Sequence, residues 1–474
     1  MTGKMTDLVV AGQLAARAAG RRIRAEIEPP PDLDRFSRAM EQVLAKAPEG
    51  IVRDYCWVYI PATRPPWVDA NMAVDEGDEL SYFAEGRVYV SPALDIYVTP
   101  SLQLWCKIGD RGEVFRGTRS SHSFRAPGSG PVSFGNYFPN DWADPQGARK
   151  ESDDVYGQVS GELLVLVIRW HGAARDGLRA LGAAGDPTGL LRQELERIEQ
   201  GNTTPEGWHY LWHLGPAEIY RKQHAANGDA CIACMTHGDV GILQRDVDLP
   251  LEASTEISWA WCVQQLPSTL REDTLPSHDY MSIAVEFDNG RDITYYWSSN
   301  LPVGTGYDCP LPNWAGKEFH VVVRSGETGL GRWHNERRNL YNDYLSYMGR
   351  PPARVVRVWL IANSIFQRGR GVCDYADIVL RNGDEEIRVP VLVRIERRHP
   401  HAAPGEGGNP RGRADRRARR CAAAVPRRSC RPRRRHRSLS GHRPNLDDPA
   451  HRGSRRSPAC ARGTVRSLWG STSG

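Results

Sequence analysis

The chain has 474 residues, more than one hydrophobic core usually supports, which implies two or three domains. Its 14 Trp and 33 Pro residues, with an ordinary hydrophobic fraction of 40%, favour loop-rich β domains over helical bundles. The net charge of +5 is uneven, because residues 399–474 contain 19 Arg and four acids, or +15, which leaves about −10 for residues 1–398. An acidic body repels nucleic acid, so composition argues against nucleic-acid binding by the folded part.

The cysteines and the N-terminus bear on the cellular location. Seven of the ten Cys residues precede the basic segment, and an odd number without a regular framework indicates reduced thiols in a cytoplasmic protein. The short apolar stretch at residues 8–14 runs into basic residues at 21–24, the reverse of a secretory charge layout. Nothing approaches the roughly 20 apolar residues of a membrane span, so we expect no membrane partner.

Hydrophobic periodicity divides the chain into five segments. Residues 1–54 are predicted to be a helical N-terminal extension, 55–171 a β-sandwich, 172–207 a helical connector and 208–397 a second β-sandwich. Residues 398–474, rich in Arg, Pro, Gly and Ala, are predicted to be a disordered basic tail. The tail is either a genuine basic arm or the product of a frameshift in GC-rich DNA. The expected fold class is mainly β, with two β-sandwich (jelly-roll-like) domains.

Residues 67–170 carry an ordered series of glycines between apolar runs. A Gly-Asp pair at 77–78 precedes the runs LWCKIGD, FRGT, SHSFRA and GPVSF, and a YGQVSG loop precedes the last apolar strand. This order resembles the bacterial galactophilic lectin family, and the resemblance implies a sugar-binding β-sandwich.

The resemblance also implies where calcium would bind. In that family a calcium ion, held by a backbone carbonyl and by Asp, Thr and Asn oxygens near the Tyr-Gly loop, orients the sugar hydroxyls. The matching positions here are Val90, Val155, Gln158 and Val159, and valine has no side-chain oxygen to offer. Calcium takes six to eight oxygens, so the family ligand positions are not kept, although Gln158 stays a metal candidate.

A nearby loop offers a replacement for that site. Asn140, Asp141 and Asp144 supply oxygen-bearing side chains for a sugar or a metal ion, and an exposed Trp142 indole would give a sugar ring an apolar surface. These four residues are therefore candidate ligand-binding positions. The alternative is that the polar residues only form turns and that Trp142 covers the end of the sandwich.

A second set of motifs lies within residues 208–380. It comprises ITYYW, VVVRSG, GRW, RNLYNDY and YADI, in that order. Their order and spacing resemble a bacterial family of uncharacterised proteins, domain of unknown function 3047, which implies a fold but no activity. The chain departs from the family after one strand, where Ala362, Asn363 and Ser364 replace an expected acidic pattern.

Alternation along residues 281–288 places Glu286 and Asp288 on one face of a strand, roughly 6.5–7 Å apart. That separation suits paired-carboxylate acid/base chemistry such as glycoside cleavage. The alternative is a solvated outer face, since polar residues usually face water in antiparallel sheets.

Residues 331–339 contain several polar residues around one Trp. Arg332 and His334 beside Trp333 predict a polar binding loop, with Arg suited to an anionic ligand, and Trp297 is a second candidate ring. His334 and Asp343 are catalytic candidates together with the two carboxylates above. The alternative is an internal ion-pair network of Arg337, Arg338 and Asp343 that orders a helix.

Two further groups carry weaker signals. Cys231 and Cys234, with His224 and His237 nearby, could supply zinc ligands, but a second Cys pair is missing and burial as small hydrophobes is the favoured interpretation. The neighbouring residues 278–279, His and Asp, could act as a base and its orienting group. Adjacent residues rarely point at one another, so we expect no functional role there.

No Walker loop, dinucleotide fingerprint, HExxH or GxSxG pattern occurs in the sequence. The leading hypothesis is a bacterial protein that binds a carbohydrate or similar polar small ligand through tandem β-sandwich domains, with calcium as a conceivable cofactor. The alternative hypothesis is a hydrolase or lyase with its site in the second sandwich. A third hypothesis is nucleic-acid binding by the basic tail, which would weaken steeply with salt.

Overall fold

The computed structural model describes residues 2–389 apart from positions 25, 65, 138–141, 151 and 226–227. Helices α1 (Thr2–Ile23) and α2 (Leu33–Leu44) precede the first strand. The break between them falls at three consecutive prolines, and α2 begins where the Asp32 carboxylate accepts the Arg35 amide at 2.8 Å. The predicted basic tail lies outside the described residues.

The first sandwich consists of a five-stranded and a three-stranded sheet, described here from its own residues. Strand order is β1-β8-β3-β4 with β6 on β3 in the larger sheet, and β2-β7-β5 in the smaller one. Side chains of both inner faces form one core, for example Leu80 and Val165 from one sheet and Val132 and Phe134 from the other. Its elements in chain order are β1 (Val52–Pro61), β2 (Trp67–Val74), β3 (Glu79–Ser91), β4 (Ile96–Val98), α3 (Pro100–Gln103), β5 (Leu104–Ile108), β6 (Ser121–Arg125), β7 (Gly130–Asn136), a 3₁₀ turn (Asp153–Gln158) and β8 (Ser160–Trp170).

Helices cover the outer face of the five-stranded sheet. α4 (Ala174–Ala184) and α5 (Leu190–Gln200) pack with α2 against Phe83 and Trp170 of the sheet. The wholly buried Glu194 of α5 accepts hydrogen bonds from the Ser121 hydroxyl at 3.0 Å and the Ser123 amide at 2.6 Å. The segment predicted to be a connector is therefore a structural layer on the first sandwich.

The second sandwich consists of a six-stranded and a seven-stranded sheet. Strand order is β10-β11-β20-β13-β18 with β21 on β20 in the former, and β16-β17-β15-β14-β19-β12-β9 in the latter. Trp259 and Trp261 of one sheet and Ile283, Val285 and Tyr295 of the other share its core. Its elements are β9 (His209–Tyr210), β10 (Tyr220–His224), β11 (Ala230–His237), β12 (Val240–Pro250), β13 (Glu256–Gln265), a 3₁₀ turn (Leu275–Ser277), β14 (Tyr280–Phe287), β15 (Asp292–Ser298), β16 (Gly306–Asp308), β17 (Glu318–Ser325), β18 (His334–Asn339), α6 (Leu340–Met348), β19 (Arg354–Asn363), β20 (Arg370–Asn382) and β21 (Glu385–Arg388).

The outer face of the seven-stranded sheet is covered rather than open to water. β15 and β17 pair in parallel, and parallel neighbours require a connection that crosses over the sheet. This crossover brings Leu301 onto Ala284, Tyr296 and Trp359 in a second apolar cluster. The outer-face Ser282 is consequently fully buried, so the expectation of a solvated face on this strand is wrong.

The two sandwiches share an extensive contact. Phe366, between β19 and β20, is buried in the core cluster of the first sandwich. In the opposite direction, the buried Arg116 of the first sandwich donates from Nε to the Leu214 carbonyl at 2.9 Å. Helix α1 contacts both, through the Val10–Leu270 cluster and an Arg21–Asp95 ion pair of 3.1 Å. Among the described residues, no helix is both long and apolar enough to span a bilayer.

Candidate functional site

The lectin-like loop does not present an exposed ring. Trp142 is only 3% exposed and stacks on Tyr137 at 3.8 Å and on Trp67 at 5.2 Å, so the expectation of an exposed indole is wrong. Asp144 accepts the amides of Gln146 and Ala148, both at 3.0 Å, which is the turn chemistry of the alternative interpretation. Asn140 and Asp141 lie outside the described residues.

The positions that match the lectin calcium ligands are apolar. Val90, Val155 and Val159 are buried, and Gln158 is an exposed residue at the end of its 3₁₀ turn. The described part of this region thus retains one side-chain oxygen donor from that set, Gln158 itself. That is far short of the six to eight oxygens that calcium takes.

The paired carboxylates are not paired in the structure. Glu286 accepts hydrogen bonds from Arg357 Nη1 at 2.9 Å and from the Trp359 indole at 3.1 Å. β14 ends at Phe287, and Asp288 lies in the exposed turn that follows it. The arrangement predicted for glycoside cleavage is therefore wrong, because one carboxylate holds a cross-strand ion pair and the other is in a turn.

The remaining catalytic candidates of the second sandwich serve internal contacts. Asp343 accepts Arg338 Nη2 at 2.7 Å and the Tyr295 hydroxyl at 2.8 Å. His334 Nε2 lies 2.9 Å from the Gly329 carbonyl, and its ring meets the buried Trp297 edge to face. The alternative of an ion-pair network before α6 is correct for Arg338, whereas Arg337 pairs with Glu256.

The Cys-x-x-Cys pair does not form a zinc site. Cys234 points into the core of the sandwich and Cys231 into the outer face of the same sheet, because residues three apart on a strand face opposite ways. His224 and His237 are both exposed. Burial of both thiols is the interpretation that the structure supports.

His278 and Asp279 point at different neighbours, as expected for adjacent residues. The His278 Nδ1 atom lies 2.6 Å from the Glu272 carbonyl, while Asp279 accepts the amides of Phe366 at 3.0 Å and Gln367 at 2.6 Å. Burial lowers the pKa of His278 to about 4, so its imidazole is neutral at physiological pH.

A groove lies on the outer face of the six-stranded sheet. It is lined by Trp333, a predicted ligand-binding residue that is accessible to solvent. Its floor includes the small side chains of Ala260 and Ala376, which leave a depression of ≈ 180 Å³ and pack on the buried Cys231. Ala260 pairs with Ala376 on one side and with Asn335 on the other. The small residues therefore meet on neighbouring strands, where larger ones would fill the depression.

Polar side chains and one indole line the sides of the groove. They are Trp333, 39% exposed, with Asn335, Asp229 and Asp377. Asp377 has a φ of 50°, and the register between β13 and β20 shifts at this point, as in a β-bulge. A bulge re-aims a side chain, and here it leaves the Asp377 residue exposed on the strand.

The charge of the groove is acidic and its thiols are unreactive. Asp374 lies on the same face, where burial raises its pKa. Burial, with the Asp374 charge as a second cause, raises the pKa of the Cys231 thiol to about 11, so it stays protonated. The side chains of Asn335 and Asp377 in the lining can accept hydrogen bonds from a ligand, whereas the buried Cys231 thiol supplies no thiolate nucleophile.

Sequence reasoning identified Trp333 of this groove and missed Asp229, Asn335 and Asp377. Asp377 belongs to the YADI motif, where it reads as an ordinary strand residue because the bulge is not visible in the sequence. Arg332 is exposed beside Trp333, but it does not line the groove.

The described chain is a mainly β protein built from two sandwiches. Residues 213–379, within the second sandwich, match the family model described as "Protein of unknown function (DUF3047)". No curated protein matches the sequence.

Solved structures with β-sandwich folds show a distant likeness. A lectin domain described as "EclA N-terminal domain; PllA-like lectin" is 14% identical, covers 26% of this chain and 99% of its own, and has a TM-score of 0.20. The xyloglucanase domain of NopAA from Sinorhizobium fredii, in complex with cellobiose, is 10% identical, with coverages of 38% and 96% and a TM-score of 0.25. A carbohydrate-binding module of the β-sandwich superfamily is 10% identical, with coverages of 71% and 100% and a TM-score of 0.18. These TM-scores are low, so the β-sandwich fold is assigned from the strand order of the sheets in this chain.

Proposed function

We propose that the protein binds a neutral carbohydrate in the groove beside Trp333. The observation that supports this is the combination of a partly exposed indole with a carboxamide and carboxylates around a floor of small side chains. A sugar ring has an apolar face that packs on an indole and hydroxyls that donate to carboxylates. A volume of ≈ 180 Å³ accommodates a single sugar unit rather than a long segment of a chain.

The charge of the groove selects against anionic sugars. The Asp377 carboxylate lines the groove and is exposed, so it repels an anionic group placed beside it. Of the arginines on this segment, Arg337 pairs with Glu256 and Arg338 with Asp343, while Arg332, the residue considered for anion binding, is exposed and does not line the groove. The proposal therefore replaces an acidic ligand by a neutral one. A cytoplasmic location stays a prediction of the sequence.

The proposal is tested by titrating the full-length chain with neutral mono- and disaccharides, using calorimetry and thermal shift. We expect Trp333→Ala to weaken binding at least about tenfold, which corresponds to about 1.4 kcal/mol. The matched control is Trp212→Ala, since Trp212 is 47% exposed and does not line the groove. Its affinity should equal that of the unmodified chain.

A second variant separates charge from packing. Asp377→Asn keeps a residue type that tolerates the positive φ of 50° and removes the negative charge. The Asp377→Asn variant should bind neutral sugars more weakly than the unmodified chain does. It should also bind uronates, which are anionic sugars, less poorly relative to neutral sugars. The proposal is wrong if no neutral sugar binds at millimolar concentration, or if the Trp333 and Trp212 variants bind equally.

A further inference from the structure

A group of metal-ligand side chains lies on the other face of this sandwich, under the crossover between β15 and β17. It consists of His278, Cys309, Glu318 and His320, whose ligand atoms all lie within 4.8 Å of one another. All four are buried, with exposures of 0, 2, 3 and 0% respectively. We propose that these four side chains bind one zinc-class divalent transition-metal ion.

The fold explains how distant positions meet. Glu318 and His320 are two residues apart on β17 and therefore face the same side of the sheet. His278 precedes β14, and Cys309 directly follows β16, which pairs with β17. The crossover thus carries Cys309 over the outer face of the sheet to the two β17 side chains.

Two of the distances between the ligand atoms match a tetrahedral site. With metal–nitrogen bonds of about 2.0–2.1 Å and metal–sulfur bonds of about 2.3 Å, neighbouring ligand atoms lie about 3.3–3.6 Å apart. Cys309 Sγ lies 3.4 Å from His278 Nε2, and His320 Nε2 lies 3.5 Å from Glu318 Oε1. The donor set of two imidazoles, one thiol and one carboxylate suits zinc, which accepts nitrogen, sulfur and oxygen ligands.

His320 provides the second independent observation. Its ring is completely buried, yet neither Nδ1 nor Nε2 has a hydrogen-bond partner among the described residues. The ring stacks on Tyr307 at 5.1 Å, which fixes its plane without satisfying either nitrogen. Buried polar atoms normally have a hydrogen-bond partner, and a buried atom without one destabilises the folded state. A metal ion bound to Nε2 would give this imidazole nitrogen a partner.

The surrounding groups orient the other ligands as they do in metal sites. The His278 Nδ1 atom lies 2.6 Å from the Glu272 carbonyl, which assigns the proton to Nδ1 and directs the Nε2 lone pair towards Cys309. Glu318 Oε1 accepts the Tyr280 hydroxyl at 2.9 Å and the Thr294 hydroxyl at 3.1 Å. One thiolate and one carboxylate would balance the charge of a divalent ion, so the buried site becomes neutral.

A small cavity adjoins one of the four proposed ligands, Glu318. This cavity of ≈ 60 Å³ is lined by both Tyr280 and Glu318, together with Asn313 and Asn363. The volume is sufficient for one or two water molecules. Glu318 therefore borders both the other three ligands and a small, mostly apolar cavity.

The test measures metal directly on the full-length chain. Elemental analysis after incubation with zinc and removal of excess should give one zinc per chain. Cys309→Ala and His320→Ala should each lower the affinity for zinc by more than about 100-fold, since even neighbours of metal ligands change it 10–100-fold. The matched control is Cys106→Ala, an equally buried thiol in the first sandwich, which should retain the metal.

The absorption spectrum of bound cobalt provides a second test, which can be made on the unmodified chain if a variant does not fold. Cobalt bound to the unmodified chain should show a thiolate charge-transfer band and the visible absorption of tetrahedral coordination, and Cys309→Ala should lose the charge-transfer band. A folded unmodified chain that takes up no zinc, or that binds cobalt without the thiolate band, overturns the proposal. Because the groove lies on the opposite sheet, sugar binding in the Trp333 assay is expected to be unchanged by Cys309→Ala.

Discussion

We expect the buried His122 to contribute to the pH dependence of the stability of the first sandwich. His122 on β6 packs between the rings of Tyr82 and Phe124, at 5.9 and 5.8 Å. Burial, assisted by the charge of Arg197, lowers the pKa of His122 to about 4 from an ordinary value of 6.5. The folded state therefore binds a proton less readily than the unfolded state between these two pH values.

We expect this difference to reduce stability in acid. The contribution of His122 is fully present above pH 6.5 and is lost as the pH falls towards 4, by up to about 3 kcal/mol. His122→Phe keeps a planar ring among its neighbours and removes the titration, so its free energy of unfolding should fall less between pH 7 and pH 5. Urea unfolding at several pH values measures this.

The control is the unmodified chain, measured at the same pH values. A pH slope in His122→Phe equal to that of the unmodified chain would contradict the assignment.

The local role of a side chain was easier to predict from the sequence than its exposure to solvent. Asp144 was correctly recognised as a possible turn residue because its side chain acts on amides two and four positions away. The exposure of Trp142 could not be predicted, since it depends on Trp67, which is distant in the chain. The buried His278 cluster joins residues up to 42 positions apart without a motif, so local spacing could not reveal it.

At the level of elements, the pairing of β3 with β8 depends on two glycines. Gly86 has a φ of 134°, and a Cβ there would lie 2.2 Å from the Glu162 carbonyl oxygen. Gly161 on the partner strand has a φ of 104°, and a Cβ there would lie 2.1 Å from the Arg87 carbonyl oxygen. The two strands approach so closely that side chains do not fit at either position.

Gly86→Ala should therefore destabilise the protein by more than about 3 kcal/mol, because strain and a backbone clash combine. The matched control is Gly77→Ala, which has a φ of 89° but open space around its Cβ and should cost about 1 kcal/mol. Urea unfolding of both variants tests the difference. Equal losses would mean that the close approach of the strands has no energetic role.

Strands with a clear apolar pattern, continuous in β8 and alternating in β14, were predicted well, whereas a strand without one was missed. β8 and β14 follow the apolar runs from which they were inferred. β18, with the sequence HNERRN, was interpreted as a binding loop because it contains no apolar residue, yet it pairs with β13 along six positions. The covered outer face of β14 was also missed, since it requires knowledge of where the crossover lies.

At the scale of the whole molecule, the sandwiches are joined by buried side chains. Phe366 is 5% exposed and belongs to the core cluster of the first sandwich although its neighbours in sequence are strands of the second. Arg368 supports the same contact by donating to the Tyr97 carbonyl at 3.0 Å. The sequence predicted two sandwiches but not this joint, because nothing local distinguishes Phe366 from an ordinary core residue.

We expect Phe366→Ala to lower the stability of both sandwiches together, by about 3–5 kcal/mol. Calorimetry should show a single unfolding transition that moves to lower temperature. Val303→Ala, at a residue 64% exposed, is the control and should leave the transition unchanged. Two separate transitions, of which only one moves, would show that the joint does not couple the sandwiches.

The tryptophan-rich core of the second sandwich separates its two outer faces. The groove beside Trp333 lies on the six-stranded sheet and the cluster around His320 on the seven-stranded sheet, with the tryptophan-rich core between them. We expect substitutions around the groove to leave the packing and the charge at the cluster unchanged. The two proposed sites can therefore be mutated independently of each other within one domain.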